Sequence, residues 1–187
     1  VDFDVHHGNG TQEAFYHRPD VLFVSLHQAP FYPGTGRVEE LGAGEGTGFT
    51  VNVPLSPGAS NAVYAAAFSR IVAPVLDQYA PELVLVSAGF DAHERDPLAG
   101  MALTDAGFAS MARTLRATSR KSAQGRIGLV LEGGYDLQGV ETSLAATLCA
   151  LTSDRDEPTA SPAPPLSPAH EADLARARAA IGRHWSL

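Results

Sequence analysis

Five short apolar runs, VDFDV, VLFVSLH, FTVNVPL, LVLVSAG and IGLVLEGG, are separated by segments with helical spacing. Each run is rich in Val, Ile, Leu or Phe and stops near Gly, Pro or polar residues, which is the pattern of buried strands. Between them, residues 60–79, 104–121 and 137–151 repeat their apolar residues at helical intervals. Ser60 and Thr104 stand where N-caps belong, and Pro74 is expected to kink or shorten the first helix. Strands alternating with helices imply an α/β fold, a parallel sheet with helices on both faces. After Leu151 the composition turns to Pro, Ser and Asp, so residues 152–167 read as a linker. Residues 168–187 read as a tail whose helix runs to about His184. That helix either packs back or floats, with Trp185 as its anchor.

Charge and length narrow the function. A net charge of -8 argues against a large nucleic-acid-binding surface. No apolar run is long enough to span a bilayer, and no charged segment precedes an apolar one at the start. The single cysteine, Cys149, excludes an internal disulfide and reads as a small buried helical residue. A cytoplasmic protein fits these features.

The chemistry gathers at strand ends. In a strand, residues two apart share a face, so Asp2, Asp4 and His6 point one way while Phe3, Val5 and His7 point the other. Two carboxylates and an imidazole aimed at one spot strain each other's ionisation unless a cation sits there; the competing reading is a salt-bridged cluster. Asp91 follows directly on LVLVSAG, and Tyr135 follows Gly133 and Gly134 at the end of IGLVLEGG. Two glycines permit a tight turn that brings Tyr135 over the strand ends, although spacing alone favours a surface tyrosine. In open parallel α/β sheets, ligands bind beyond the carboxyl ends of the strands. Asp4, His6 and Asp91 make three ligands with a fourth position open, as in a catalytic zinc site. An O/N set without thiolate also accepts Fe(II) or Mn(II).

Five motifs in order, DFDVHHGNGTQEAF, VSLHQAPFYPGTG, TVNVPL, SAGFDAH..DPL and LEGGYD, resemble the histone deacetylase family of the arginase/deacetylase fold. The resemblance runs from Val1 to about Leu151, and the Asn in HHGNGT and the Glu in LEGGY resemble the class II branch and its bacterial relatives. It implies that Asp4, His6 and Asp91 hold zinc and that Tyr135 donates a hydrogen bond to the acetamide oxygen. It implies one potassium ion among oxygens of Asp2, Asp4, His6, Ser25 and Leu26, and a second at Phe15, Arg18, Val21 and Phe49. Tyr32 matches an aromatic wall of the acyl-lysine tunnel, beside a substrate-binding turn at Gly133 and Gly134. Leu98 matches a rim position that is Glu in the polyamine-selective branch.

The family's reaction also uses a tandem His pair as general base, upstream of the zinc strand. His6-His7 belongs to the zinc strand and is not that pair. Asp2 and Asn9 match residues that orient the pair. The N-terminal part of the domain, on the order of a hundred residues or more, is therefore expected to be absent, with Val1 a truncation point and the isolated chain nearly inactive. The resemblance implies zinc-dependent hydrolysis of N-acetyl-lysine to free amine and acetate. The alternatives are an acetylpolyamine amidohydrolase and a non-catalytic metal- or acyl-lysine-binding remnant. Partners would be acetylated lysine side chains or acetylated amines, with no nucleic acid or membrane. Glu39, Glu40 and Glu45 read as solvated, and Asp96 as holding the Asp91 loop through backbone hydrogen bonds.

Overall fold

The computed structural model describes residues 1–153 and 165–187. Among the described residues four strands form, β1 (Phe23–Gln28), β2 (Thr50–Leu55), β3 (Val84–Ala88) and β4 (Ile127–Leu131). β1 pairs with β2 and β3 with β4, both parallel, with Phe23 opposite Thr50 and Val84 opposite Ile127. The first residues join the two pairs, because Asp2 bridges Ser25 on one side and Ser87 on the other, both in parallel. The spatial order is therefore β2, β1, the first segment, β3, β4. Parallel pairing in this α/β arrangement is the architecture expected from the alternating pattern.

The run VDFDV nevertheless departs from its expected strand. Beyond Asp2 and Phe3 the chain bends through Asp4–His6. Side chains take the backbone donors that a ladder would use: Asp2 Oδ1 accepts from Asp4 N–H, Asp91 Oδ1 from Val5 N–H, and Asp4 Oδ1 from His6 N–H, at 3.0, 2.8 and 2.8 Å. Strict face alternation ends where those bonds begin.

The helices follow the sequence pattern with local corrections. A helix that periodicity does not announce, α1 (Asn9–Phe15), lies in the HHGNGTQEAF motif. The stretch 60–79 divides into α2 (Asn61–Ala67), a π turn (Phe68–Val72) and α3 (Ala73–Tyr79). Pro74 offers no N–H to a carbonyl four residues back, and the wider turn takes up the mismatch. α4 (Asp105–Ser122) and α5 (Leu137–Thr152) pack on one another. Ser60 and Thr104 occupy N-cap positions but their side chains do not cap. Thr104 Oγ1 instead accepts from Asn61 Nδ2 at 2.8 Å, which ties α4 to α2. Asp136 does cap α5, accepting from Gly139 N–H.

Phe3, Phe90 and Phe108 meet edge to face or tilted in the core, with ring centroids 5.1–6.1 Å apart. The last helix, α6 (Pro168–Ile181), packs on β2 and buries Leu174, Ala177 and Ile181 in the same core. Ser56 N–H donates to Asp173, and Trp185 Nε1 donates to Gly48 O at 2.8 Å while its ring meets Phe49 and Tyr79. Of the expected linker, residues 154–164 lie outside the described residues.

Two burial expectations fail. Cys149 is exposed, because α5 turns Ser143, Thr147 and Ala150 inward and Cys149 outward. β3 and β4 are not buried on both faces, since Leu85, Val130 and Leu131 are each more than half exposed. Among the described residues no helix is long and apolar enough to cross a membrane.

Candidate metal centre

The first segment carries Asp4 and His6 out of the sheet just where β3 delivers Asp91. One ligand atom from each of Asp4, His6 and Asp91 lies within 4.8 Å of the others. His6 Nδ1 sits 3.0 Å from Asp4 Oδ1 and 3.1 Å from Asp91 Oδ2. Asp91 is fully buried and Asp4 nearly so. Backbone donors hold both carboxylates: Val5 N–H bonds Asp91 Oδ1, and Gly133 N–H bonds Asp4 Oδ2 at 2.7 Å. Glycine is required at two flanking positions. A Cβ on Gly89 would strike the Asp4 carboxylate, and one on Gly133 would strike both Asp91 and Asp4.

The electrostatics of this cluster suit a cation. Burial, then the neighbouring Asp4 charge, pushes the Asp91 carboxyl up to about 7. Asp2, also buried, is pushed up to about 7 by burial and again by Asp4. Two buried carboxylates and one imidazole, with backbone bonds already fixing carboxylate oxygens, could serve as the donor set of a divalent cation.

The aromatic loop Phe31–Gly36 lies over the same place. The Phe31 ring stacks on His6, with centroids 5.1 Å apart, and Tyr32 meets His6 edge-on at 6.2 Å. Tyr32 is exposed. Sequence reading named Tyr32 and missed Phe31, although both stand in PFYPGTG. Tyr135 is half exposed and follows Gly134, whose φ is +141°. Leu98 is exposed, on a turn held by Asp96.

These residues decide the family: residues 1–151 match the histone deacetylase domain. The chain belongs to the histone deacetylase family. It is 44% identical over 154 residues to "Histone deacetylase 10, chloroplastic" of Oryza sativa subsp. japonica, covering 82% of this chain and 35% of that protein. It is 47% identical over 136 residues to the "Histone deacetylase-like amidohydrolase" of Pseudomonas aeruginosa, covering 72% and 36%. The solved structure of the histone deacetylase Clr3 superimposes with a TM-score of 0.89 at 39% identity, over 100% of this chain and 31% of that one. The chain thus spans about a third of the length of each of these relatives.

The other residues that the histone deacetylase resemblance singled out are scattered around the centre. Ser25 and Leu26 are fully buried on β1 beside Asp2, where Leu26 N–H donates to Asp2 O. Phe15 O accepts from Arg18 N–H, Phe49 O accepts from Phe23 N–H, and Val21 lies just before β1. Asn9 is exposed at the start of α1.

A second polar cluster begins at His7 and was not anticipated. His7 Nδ1 meets Thr35 Oγ1 at 2.7 Å and Nε2 meets Gln12 Oε1 at 2.9 Å. Gln12 donates to Glu40, which also accepts from Gly36 N–H, and Asn52 donates to Gln12. Glu40 is therefore not the solvated loop residue expected. His27, whose ring lies tilted against that of His7 with centroids 4.8 Å apart, bonds Ser25 and Gly36 O. Burial, then the neighbouring His7, holds His27 down to about 3.

Proposed function

We propose that this chain forms the metal centre of a zinc-dependent deacetylase that hydrolyses N-acetyl-lysine to free amine and acetate. The convergence of Asp4, His6 and Asp91 on one point carries the reading. These three residues would hold the ion; Fe(II) is the other candidate. When bound, the ion supplies Lewis-acid polarisation of the acetamide carbonyl and lowers the pKa of water for attack.

The remaining work falls to side chains. The Tyr135 phenol donates a hydrogen bond to the oxygen that gains charge in the transition state. The Gly133 N–H bond to Asp4 sets the height of the Tyr135 loop above the ligands. Phe31 and Tyr32 flank the methylene stem of the acyl-lysine, and apolar walls suit that stem. Leu98 offers no countercharge to a distal ammonium, which favours acyl-lysine over an acetylpolyamine. Oxygens of Asp2, Asp4, His6, Ser25 and Leu26 would take one potassium ion, and Phe15, Arg18, Val21 and Phe49 a second.

The proton acceptor is not supplied by the sequence's only tandem histidine pair, since His6 faces the carboxylates and His7 is bonded to Thr35 and Gln12. The 187-residue chain alone is therefore expected to show little turnover. The test is a substrate panel with the longest natural polypeptide carrying this sequence. Acetyl-lysine peptides should be cleaved, and Y135F should lower kcat by roughly 100-fold or more, the cost of losing one oxyanion donor. A preference for acetylspermidine or acetylputrescine would move the reading to the polyamine branch. Unchanged turnover in Y135F would end it.

A further inference from the structure

We propose that Asp96 is a positioning residue for Tyr135, and that its carboxylate locks the Tyr135 loop to the rim turn at Leu98. The inference rests on the reading of Tyr135 as the donor to the acetamide oxygen.

Asp96 is buried, and its own N–H donates to His93 O at 2.9 Å. Its two oxygens serve two different loops. Oδ1 accepts from Leu98 N–H at 2.9 Å and Ala99 N–H at 3.2 Å. Oδ2 accepts from Tyr135 N–H at 2.9 Å, across 39 residues of sequence. Charge-assisted bonds from a buried carboxylate are the strong kind.

The Tyr135 loop needs such a tie. Two glycines precede the residue, one at φ +141°, so the backbone has many conformations to choose from. Tyr135 is 54% exposed, so packing does not hold it well. Gly133 N–H is pinned to Asp4 Oδ2 on one side. On the other side Asp136 caps α5 and pairs with Arg95 at 3.0 Å, but that ion pair is exposed and contributes little. Asp96 is the buried anchor between these points, bonded to the backbone of the residue whose phenol acts.

A carboxylate is required because both oxygens accept. Asparagine would keep an oxygen on Leu98 and Ala99 but turn an NH₂ toward the Tyr135 N–H. D96N therefore preserves the rim turn and breaks the Tyr135 tie, while D96A releases both.

The experiment labels the chain with 3-fluorotyrosine and reads its five tyrosines by ¹⁹F NMR, with Y135F assigning the Tyr135 line. Tyr64, fully buried, reports the fold. In D96N the Tyr135 line should shift or broaden while the Tyr64 line stays in place, and D96A should do the same more strongly. A Tyr135 line in D96N that matches the parent in position and width overturns the proposal. So does loss of the native Tyr64 line in D96N, which would make Asp96 a residue of global stability. In the longest natural polypeptide carrying this sequence, D96N should lower kcat roughly 10–100-fold with KM little changed. If the Tyr135 line moves and kcat does not, the positioning stands and the reading of Tyr135 as donor fails.

Discussion

His6 and His7 are neighbours in sequence and belong to opposite kinds of buried polar cluster. His6 faces Asp4 and Asp91, so two buried carboxylates meet one imidazole there. His7 faces Thr35 and Gln12, in a network that runs on to Glu40, Asn52 and Gly36, with donors met by acceptors at each step. The first cluster is one that could hold an ion. The second finds acceptors for its donors within the protein, although Asn52 Oδ1 is buried without a partner among the described residues, and it serves as a brace between α1, β2 and the aromatic loop. Burial alone does not mark a binding site; burial with an unbalanced donor set does.

The largest effect that would separate the two clusters is on metal affinity. D91N keeps an oxygen for the Val5 N–H and loses the ligand charge. It should weaken Zn²⁺ binding by more than the roughly 100-fold that loss of an outer partner costs, as measured by titration against a chromophoric chelator. E40A should leave that affinity within a few-fold of the parent. Equal losses in both variants would erase the distinction.

The pH responses should also run in opposite directions. Asp91 is raised in the metal-free fold, so its contribution is present below about 4 and is lost as pH rises toward about 7. Added Zn²⁺ should therefore raise Tm more at pH 8 than at pH 5. His27 is depressed, so its contribution is present above its ordinary value of 6.5 and is lost as pH falls through about 3. H27Q should flatten the acid limb of a Tm-against-pH curve. A parallel acid limb in H27Q would show that His27 is not the group responsible. The smallest effect is E40A on stability, about 1–3 kcal/mol by denaturant titration, from leaving Gln12 and Gly36 donors unmet.

The clustering of Asp4, His6 and Asp91 was legible because these residues carry their signal in type and spacing: an Asp–x–His at one strand end and an Asp at another. The same aspartates obscured the local structure. Their carboxylates bond the N–H groups of Asp4 and His6, so an apolar-flanked run that reads as a strand becomes a bend after Phe3. α1 was missed because seven residues with Gln12 alone buried show no apolar period. Glu40 and Phe31 were missed because their partners are distant in sequence or nearby only through a turn. Burial on β3 and β4 was overestimated because an unbroken run of Val and Leu has the same letters whether one face or two are covered. The helical tail was recognisable, but its seat on β2 depends on Asp173 meeting the backbone of Ser56, a contact across 117 residues.

The sole tryptophan sits at the end of that tail, hydrogen-bonded to Gly48 and flanked by Phe49 and Tyr79. Its indole is thus a native optical probe for one event, the departure of the C-terminal segment from β2. Intrinsic emission can follow that detachment with no label attached and no substitution among Asp4, His6 and Asp91.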